Sequence, residues 1–347
     1  MQALILAGGE GTRLRPLTSS VPKPVLTLVD RPFIAFMLEW LRGHGVDDVI
    51  MSCGFLADGV RDVLGDGSAH GVRLRYVEEP EPLGTGGALK FAEDLLDERF
   101  LMLNGDILTD LDVTAQLALH EARGARGTLA LTPVEDPSAY GLVRTREDGA
   151  VTGFVEKPSP DQIDTRNISA GIYVLERDVL ELLEPGRRAS IERDVFPRLV
   201  GDGLYGYVGE GYWLDIGTPE RYLQGTADIL AGRVETEVVG PALIASDAVL
   251  APTARVGEGV VLGAGVTVGA DCVVERAVVL EGATVGDSCR LRDCVIDAGA
   301  QLGAGTVVDG HSIVGAGVSV RAGSVITGGA RLFPDDTNHG GADDRAR

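Results

Sequence analysis

The first two thirds of the chain alternate strand-like apolar runs with stretches of helical length. QALILA (2–7) is a nearly continuous apolar run, as expected for a strand that is buried on both faces. PFIAFMLEWL (32–41) has the length and apolar density of a buried helix. Further strand-like runs are DDVIMSCG (47–54), VRLRYVEE (72–79) and RFLMLNGD (99–106), with helical stretches at 56–64 and 85–97. This βαβαβ order predicts a Rossmann-like, open, mostly parallel sheet with helices on both faces and ligands at the carboxyl ends of its strands.

After Gly232 the apolar residues recur at a different interval. They stand six residues apart at Ile244, Leu250, Val256, Leu262, Val268, Val274 and Leu280. Two five-residue steps follow, from Leu280 to Val285 and from Leu291 to Ile296, before the six-residue step resumes through Ile326. A period of six is typical of a parallel β-helix built from hexapeptide repeats, and the pattern resembles the left-handed kind. We therefore predict an α/β domain over 1–232, a left-handed β-helix over 233–330 and a disordered polar tail over 331–347.

The composition limits the binding partners and the cellular compartment that are expected for this protein. The net charge of −21 over 347 residues disfavours binding to a nucleic-acid backbone. No apolar stretch approaches the roughly 20 residues of a membrane span, and MQALILAGG reads as a strand and not as a signal peptide. The four cysteines form no CxxC pair, which favours buried free thiols in the cytoplasm.

A glycine-rich turn follows the first predicted strand, in LILAGGEGTRLRPLT (4–18). Gly8, Gly9 and Gly11 let backbone N–H groups approach a phosphate closely, and Arg13 and Arg15 are bidentate phosphate donors. The loop matches neither GxGxxG nor the P-loop pattern. Lys23 follows between two prolines, PKP (22–24), and is one of three lysines in a chain that has 28 arginines. A compact ammonium in this place suits a phosphate site.

These motifs resemble those of the sugar-1-phosphate nucleotidyltransferases. GGEGTRLRPLT and PKP are followed, in the order of that family, by LGTGGAL (83–89), NGD (104–106), EKP (156–158) and WLDIGTP (213–219). Together they span most of the first predicted domain, and a trailing hexapeptide domain is common in the family. The match is nearest to the mannose-1-phosphate guanylyltransferase group.

The resemblance implies a role for each matched residue. Arg13 would hold the phosphates that leave as pyrophosphate, and Lys23 would neutralise charge near the α-phosphate. Asp106 and Asp215 would hold Mg²⁺, which suits carboxylate and phosphate oxygens. With Arg13 and Lys23 they form the implied catalytic set. The implied nucleotide contacts are Leu6, Ala7, Gly8, Gly9, Gly11, Thr12, Arg13, Glu79, Gly84 and Thr85.

The sugar phosphate is assigned on the same ground. Lys157 would bind its phosphate, Glu156 its hydroxyls, and the Gly141 backbone another hydroxyl. The chain departs from the family at NISAG (167–171), where many relatives have the asparagine of NAG. Asn167 or Ser169 would contact the sugar there. The attacking phosphate oxygen is already an anion, so the implied in-line transfer requires no general base.

The base is assigned from Glu79, at the place where relatives that use UTP or TTP usually carry glutamine. A carboxylate only accepts hydrogen bonds, which suits the adjacent N1–H and N2 amine of guanine. Glu81 is a rival for this role, and cytosine also offers a donor. We predict GTP as the nucleotide and mannose 1-phosphate, its common partner in the family, as the acceptor.

Other activities remain open at this point. Within the family, the alternatives are glucose-1-phosphate uridylyl- or thymidylyltransferase and heptose-phosphate guanylyltransferase. A β-helix acyltransferase would need a histidine base, for which His311 is the candidate in the repeat region. A non-catalytic regulatory subunit typically lacks a phosphate or metal residue, whereas this chain keeps the full set. The exposed end of a β-helix is a sheet edge, which favours a homo-oligomer.

Overall fold

The computed structural model describes residues 1–334. Its helices are α1 (Phe33–Gly43), α2 (Ala57–Leu64), α3 (Gly84–Phe91), α4 (Val113–Arg123), α5 (Phe196–Leu199) and α6 (Pro219–Leu230). The strands up to Asp215 are β1 (Gln2–Leu6), β2 (Thr27–Leu28), β3 (Arg31–Pro32), β4 (Asp48–Cys53), β5 (Arg73–Glu78), β6 (Arg99–Asn104), β7 (Ile107–Thr109), β8 (Gly127–Pro133), β9 (Gly141–Thr145), β10 (Val151–Glu156), β11 (Asn167–Glu176), β12 (Leu204–Val208) and β13 (Trp213–Asp215).

The later strands are short. They are β14 (Ala242–Ile244), β15 (Val249–Leu250), β16 (Arg255–Val256), β17 (Val260–Leu262), β18 (Thr267–Val268), β19 (Val273–Val279), β20 (Thr284–Val285), β21 (Arg290–Ile296), β22 (Gln301–Leu302), β23 (Val307–Val308), β24 (Ile313–Val314), β25 (Ser319–Val320), β26 (Val325–Ile326) and β27 (Arg331–Leu332). Contacts divide the chain into two compact units. The first contains 1–10, 22–25 and 34–213, and the second contains 11–21, 26–33 and the chain from 214 onward.

A nine-stranded sheet forms the first unit, in the order β10-β9-β11-β6-β1-β4-β5, with β8 on β11 and β12 on β8. The strands β5, β4, β1 and β6 are all parallel, so their carboxyl ends lie at one edge of the sheet. This half confirms the predicted Rossmann-like parallel sheet. The other half begins at β11, which runs antiparallel to β6 and to β8 and was not predicted.

Helices cover both faces of this sheet. Successive side chains of β1 point to opposite faces, so neighbouring residues of this strand pack against different helices. Ile5 is fully buried in one apolar cluster with Leu38 of α1 and Val60 of α2. Leu4 lies in a second cluster, with Leu89 of α3. A strand that is buried on both faces has a nearly continuous apolar sequence, which is the property that made β1 recognisable.

The second unit contains a domain of short parallel strands that pair at a regular interval along the chain. β15 pairs with β18, β18 with β20 and β20 with β22, so that successive coils stack in register. The chain from the start of β15 to its partner β18 contains three short strands, β15, β16 and β17. The buried residue at the first five-residue step is Val279, which is 0% exposed, whereas Leu280 is half-buried. The five-residue step therefore runs from Val274 to Val279, one repeat earlier than the predicted step from Leu280 to Val285.

The regular structure continues to β27, at Arg331–Leu332, which pairs with β24. Arg331 and Leu332, which the prediction assigned to the disordered tail, thus belong to a strand, and the rest of that prediction, over residues 335–347, lies outside the part that the structure describes. Within residues 1–334, no helix is long and apolar enough to cross a membrane. The four cysteines are free and buried, as predicted.

Candidate active site

The glycine-rich turn begins at the carboxyl end of β1. The Ala7 amide donates to the Ser52 carbonyl at the end of β4, at 2.8 Å. A Cβ atom on Gly54 would lie 3.1 Å from the Gly8 carbonyl oxygen, so the two backbones approach closely only because Gly54 has no side chain. An added Cβ at Gly9 would meet nothing within 4 Å. The turn therefore presents an open backbone at the edge where α/β sheets bind ligands.

Glu79 lies beside this turn, just after β5. Its Oε1 atom accepts a hydrogen bond from the Ser52 hydroxyl at 2.9 Å, and its Oε2 atom accepts one from the Leu83 amide at 3.1 Å. Oε1 is also 3.6 Å from the position that a Cβ on Gly8 would take. The rival Glu81 is exposed to solvent. The carboxylate that was predicted to read the base is thus held in one orientation, with spare lone pairs on both oxygens.

Lys23 and Asp106 form an ion pair, with 2.9 Å between Nζ and Oδ2. Lys23 belongs to a short 3-10 turn and is 9% exposed, whereas Asp106 follows β6. The intervening Gly105 amide donates to the Leu6 carbonyl at 2.9 Å, which sets Asp106 at the end of β1. The structure therefore brings together two of the four predicted catalytic residues, which are 83 positions apart in sequence.

Arg13 and Asp215 belong to the second unit and flank Gly217 there. A Cβ atom on Gly217 would lie 2.6 Å from Nη2 of Arg13 and 3.0 Å from Oδ1 of Asp215. Any side chain at this position would displace the two charged groups, so the glycine of WLDIGTP is needed for their approach. Arg13 is exposed, and the Oδ1 atom of Asp215 is shielded from solvent. The guanidinium of Arg13 and the carboxylate of Asp215 therefore both lie next to Gly217, close to each other.

The predicted sugar-binding residues lie around the paired strands β9 and β10. Gly141 and Glu156 are register partners, and a Cβ atom on Gly141 would lie 2.5 Å from the Phe154 ring and 3.1 Å from Oε2 of Glu156. Lys157 has a positive φ of 52°, and its amide donates to the Tyr140 carbonyl. The absence of a side chain at Gly141 therefore allows the Glu156 carboxylate to lie close to its main chain.

Asn167 and Ser169 lie on β11, which pairs with β8 and β9. The Ser169 hydroxyl is 3.1 Å from the hydroxyl of Tyr173, which is 1% exposed. Burial raises the pKa of Tyr173 far above its usual range, and the negative charges of Glu192, Glu156 and Asp106 add to this rise. The phenol therefore stays protonated and can donate a hydrogen bond throughout the physiological range.

Glu192 is a neighbour of this region that the sequence did not reveal. Its Oε2 atom accepts hydrogen bonds from the hydroxyls of Thr85 and Ser190, both at 2.7 Å. The Gly86 amide also donates to the Ala189 carbonyl, so the start of α3 is joined to the segment that contains Glu192. The Thr85 hydroxyl, predicted to contact nucleotide, is thus already used within the protein, and a nucleotide contact from its backbone stays a prediction.

The charge of Glu192 also acts on Glu156. Burial raises the pKa of Glu156 above its usual range, and the negative charge of Glu192 raises it further. The positive charges of Lys157 and Arg193 oppose this rise. The folded protein therefore favours the neutral form of the Glu156 carboxyl more than the unfolded chain does.

Replacing Glu156 with glutamine should stabilise the protein at pH 7. Wild type must hold an ionised, half-buried carboxylate at that pH, whereas its stability recovers as the pH falls through the raised pKa toward 4.5. We expect Glu156→Gln to raise the Tm by about 1–3 °C at pH 7 and to lose this advantage near pH 4. Thermal unfolding between pH 4 and pH 8 tests the expectation. The exposed Glu147→Gln should show no such pH dependence, and a Glu156→Gln protein less stable than wild type at pH 7 would contradict it.

A metal centre made wholly of protein ligands is not seen in the described part of the chain. Residues 1–334 contain no group of three or more His, Cys, Asp or Glu side chains placed to hold a metal ion. This arrangement differs from that of a structural zinc site, which takes four protein ligands. It is compatible with an ion of the magnesium type, which commonly takes one or two carboxylates and completes its shell with water and substrate phosphates.

Two family models match the chain. The one described as Nucleotidyl transferase matches residues 2–232, and the one described as GMPPB C-terminal domain matches residues 238–336. A mannose-1-phosphate guanylyltransferase from Mycobacterium tuberculosis is 37% identical over 317 residues, which cover 89% of this chain and 83% of that protein. A mannose-1-phosphate guanyltransferase from Schizosaccharomyces pombe is 37% identical over 269 residues, covering 74% of this chain and 73% of that one.

A solved structure resembles the first part of the chain. The crystal structure of HddC from Yersinia pseudotuberculosis complexed with GMP-PN superimposes with a TM-score of 0.56 at 31% identity. The similarity covers 65% of this chain and 97% of that protein. A protein of similar fold and sequence thus forms a complex with GMP-PN.

Proposed function

Because the chain belongs to the nucleotidyl transferase family, we propose that it transfers GMP from GTP to mannose 1-phosphate, giving GDP-mannose and pyrophosphate. The observation that carries the transfer chemistry is the Lys23–Asp106 pair at the carboxyl end of the parallel strands. The relatives named mannose-1-phosphate guanylyl- and guanyltransferases support the choice of both substrates. The carboxylate of Glu79, fixed beside the glycine-rich turn, supports guanine.

The nucleotide phosphates are assigned to the glycine-rich turn and the cations that follow it in sequence. Backbone amides of Gly8, Gly9 and Gly11 would donate to phosphate oxygens. Leu6, Ala7 and Thr12 would contact the nucleotide through other atoms, since the Ala7 amide donates to the Ser52 carbonyl. Arg13 would hold the β- and γ-phosphates by bidentate hydrogen bonds. Lys23, a compact ammonium, would neutralise charge at the α-phosphate when substrate displaces or shares its contact with Asp106.

Asp106 and Asp215 are proposed to hold Mg²⁺. Each supplies one carboxylate, which suits an ion that keeps several waters and also binds substrate phosphates. When bound, the ion would neutralise negative charge on the nucleotide phosphates. Arg13 lies against the same glycine as Asp215 and Lys23 lies on Asp106, so each carboxylate already has a cation as its neighbour.

The sugar 1-phosphate is assigned to the region of β9, β10 and β11. Lys157 would bind the phosphate, whereas Glu156 and the Gly141 backbone would bind sugar hydroxyls. Asn167 and Ser169 would contact the sugar from β11. The phenol of Tyr173, which stays protonated, can donate a hydrogen bond to the Ser169 hydroxyl and hold it in place.

The transfer is a single in-line displacement. A phosphate oxygen of the sugar 1-phosphate forms a bond to the α-phosphorus of GTP. The bond from that phosphorus to the oxygen that bridges it to the β-phosphate breaks, and its electron pair leaves with pyrophosphate. The attacking oxygen is already an anion, so the chain needs no base to remove a proton. Its residues act by holding both reactants and by neutralising the charge that moves to the leaving group.

We also propose that the C-terminal strands wind as a left-handed β-helix of hexapeptide repeats over 233–330, after a catalytic domain over 1–232. The six-residue spacing of buried apolar residues and the parallel pairing of each short strand with one a full coil later support this arrangement. Self-association through an end of the β-helix and a cytoplasmic location stay predictions. The buried free thiols support a reducing compartment.

A substrate matrix tests the proposed reaction. GTP, UTP, TTP, CTP and ATP are each combined with mannose, glucose and heptose 1-phosphates in the presence of Mg²⁺, and pyrophosphate release is measured. We expect the highest kcat/KM for GTP with mannose 1-phosphate, and no release without divalent ion. Equal or better use of UTP or TTP with glucose 1-phosphate would replace the assignment with uridylyl or thymidylyl transfer. No release with any pair would point to a non-catalytic subunit.

A further inference from the structure

Part of the glycine-rich turn is built into the same unit as the C-terminal β domain. The segment Gly11–Val21 groups with the chain from Leu214 onward, and not with the sheet that precedes and follows it in sequence. Within this segment, Leu14, Leu17 and Thr18 are at most 2% exposed, whereas Arg13 is exposed. The segment thus has a buried part, residues 14–18, which we call the anchor, and an exposed tip that carries Arg13.

A residue of the β domain contacts this anchor directly. Gly315 follows β24, and a Cβ atom there would lie 3.0 Å from Cγ and 3.1 Å from Cβ of Pro16. The same atom would lie 2.7 Å from the Leu332 carbonyl oxygen in the adjoining strand. The Gly315 amide donates to that carbonyl at 2.9 Å. Gly315 is therefore held between the strand ladder of the β domain and the anchor, with no room for a side chain.

The anchor is tied to the tip by its own hydrogen bonds. The Thr18 hydroxyl donates to the Gly11 carbonyl at 2.8 Å, and the Leu14 amide donates to the same carbonyl at 2.9 Å. Gly11 has a positive φ of 62°, a conformation that glycine adopts readily. A displacement of the anchor would therefore be transmitted to Arg13 at the tip.

The helix α6 joins the β domain to another early segment of this unit, residues 26–33. The hydroxyl of Tyr222, which is 2% exposed, donates to the Thr27 carbonyl at 2.5 Å. Glu220 of α6 lies 3.7 Å from His311 of the β domain. The contact with Pro16 is thus one of several attachments within this unit, which favours a fixed arrangement over a chance approach.

We propose that the β domain positions the phosphate-binding arginine: Gly315, through its contact with Pro16, sets the anchor and so the place of Arg13. This inference rests on the proposed function, in which Arg13 holds the β- and γ-phosphates of GTP. Gly315 is a positioning residue, since it acts through Pro16 and touches no substrate. A β domain that served only for self-association would not require this contact.

Gly315→Ala tests the proposal, with Gly263→Ala as the matched control. A Cβ atom on Gly263 would lie 2.9 Å from the Glu281 amide nitrogen, so both variants force a methyl group against an adjoining coil. The Pro16 contact distinguishes Gly315. We expect Gly315→Ala to raise the KM for GTP about 10-fold and to leave the KM for mannose 1-phosphate within about 2-fold. Gly263→Ala should leave both within about 2-fold at a temperature where thermal unfolding shows both variants folded.

A second variant keeps the test decisive if Gly315→Ala fails to fold. Thr18→Val has nearly the same shape as wild type and removes the hydrogen bond from the anchor to Gly11. We expect it to raise the KM for GTP about 3-fold with the KM for mannose 1-phosphate unchanged. Unchanged GTP kinetics in the folded variants, or equal changes in Gly315→Ala and Gly263→Ala, would overturn the inference. Absence of pyrophosphate release from wild type would instead overturn the proposed function.

Discussion

Replacing Lys23 with methionine should lower kcat for pyrophosphate release by about 10³-fold. Methionine keeps most of the apolar stem of the side chain and removes the ammonium that lies 2.9 Å from Asp106. Negative charge moves from the attacking oxygen to the leaving group during the transfer, and a cation beside the α-phosphate offsets it. Steady-state pyrophosphate release with GTP and mannose 1-phosphate measures the loss.

Lys90 provides the control for this variant. Its side chain is 11% exposed, against 10% for Lys23, and its ammonium also pairs with a carboxylate, that of Glu93, at 2.8 Å. Both methionine variants leave a carboxylate without its partner, so both should lower the Tm. Only Lys23→Met should lose activity, and Lys90→Met should keep kcat within about 2-fold. A comparable loss of kcat in the two variants would assign the effect to folding and not to the phosphate site.

The parallel half of the sheet could be predicted because its strands are buried on both faces. Nearly continuous apolar runs such as those of β1 and β6 have few other interpretations when helical stretches separate them. The antiparallel half could not be predicted in the same way, because β9 and β10 are only five or six residues long and mix buried with half-buried positions. Such short runs carry little periodicity, and their partners are set by tertiary contacts.

The position of the short step in the β domain shows a related limit. Val278, Val279 and Leu280 are all apolar, so the spacing alone allows the buried residue to be placed at more than one of them. The strand register decides, because Val279 pairs with Leu262 and with Ile296, which are both buried. A period is thus readable from sequence over many repeats, whereas its phase at one irregular step depends on the neighbouring strands.

Residues of the site were predictable to the extent that a motif carries them. Lys23 and Asp106 were assigned to one implied catalytic set, and their direct contact could be seen only once β1 and β6 were side by side. Glu192 was missed because one glutamate among the charged residues of SIERDV looks like part of a solvated surface. Its hydrogen bond from Thr85, 107 positions away, is a property of the fold.

The grouping of the glycine-rich turn was also hidden from sequence. A boundary at residue 232 follows naturally from the change in period there. The contact of Pro16 with Gly315 joins a position near the start of the chain to one in its last repeats, and neither residue belongs to a pattern that indicates a partner. Glycine in a repeat is ordinarily explained by a turn, so its second role against the anchor becomes visible only in three dimensions.

Replacing Glu79 with glutamine should lower the preference for GTP over UTP by about 10²-fold, measured as the ratio of the two kcat/KM values with mannose 1-phosphate. The carboxylate accepts hydrogen bonds from Ser52 and Leu83, one on each oxygen, and keeps lone pairs for two donors of guanine. In the variant, the amide nitrogen replaces the oxygen beside Ser52, whose hydroxyl can turn to accept from it, and this nitrogen then faces one of the two donors of guanine. Uracil, which offers acceptors and one N–H, tolerates an amide better than guanine does.

The preference for GTP over UTP should depend on Glu79 and not on the nearby Glu81. Glu81 is exposed, so Glu81→Gln should leave the ratio within about 2-fold of wild type. In Glu79→Gln the Ser52 hydroxyl can turn to accept from the amide nitrogen while the amide oxygen accepts from Leu83, so neither glutamine variant should change the Tm greatly. Equal GTP preference in wild type and Glu79→Gln would leave Glu79 as a structural link between β4 and α3. A loss of preference in Glu81→Gln instead would transfer the reading of the base to the exposed carboxylate.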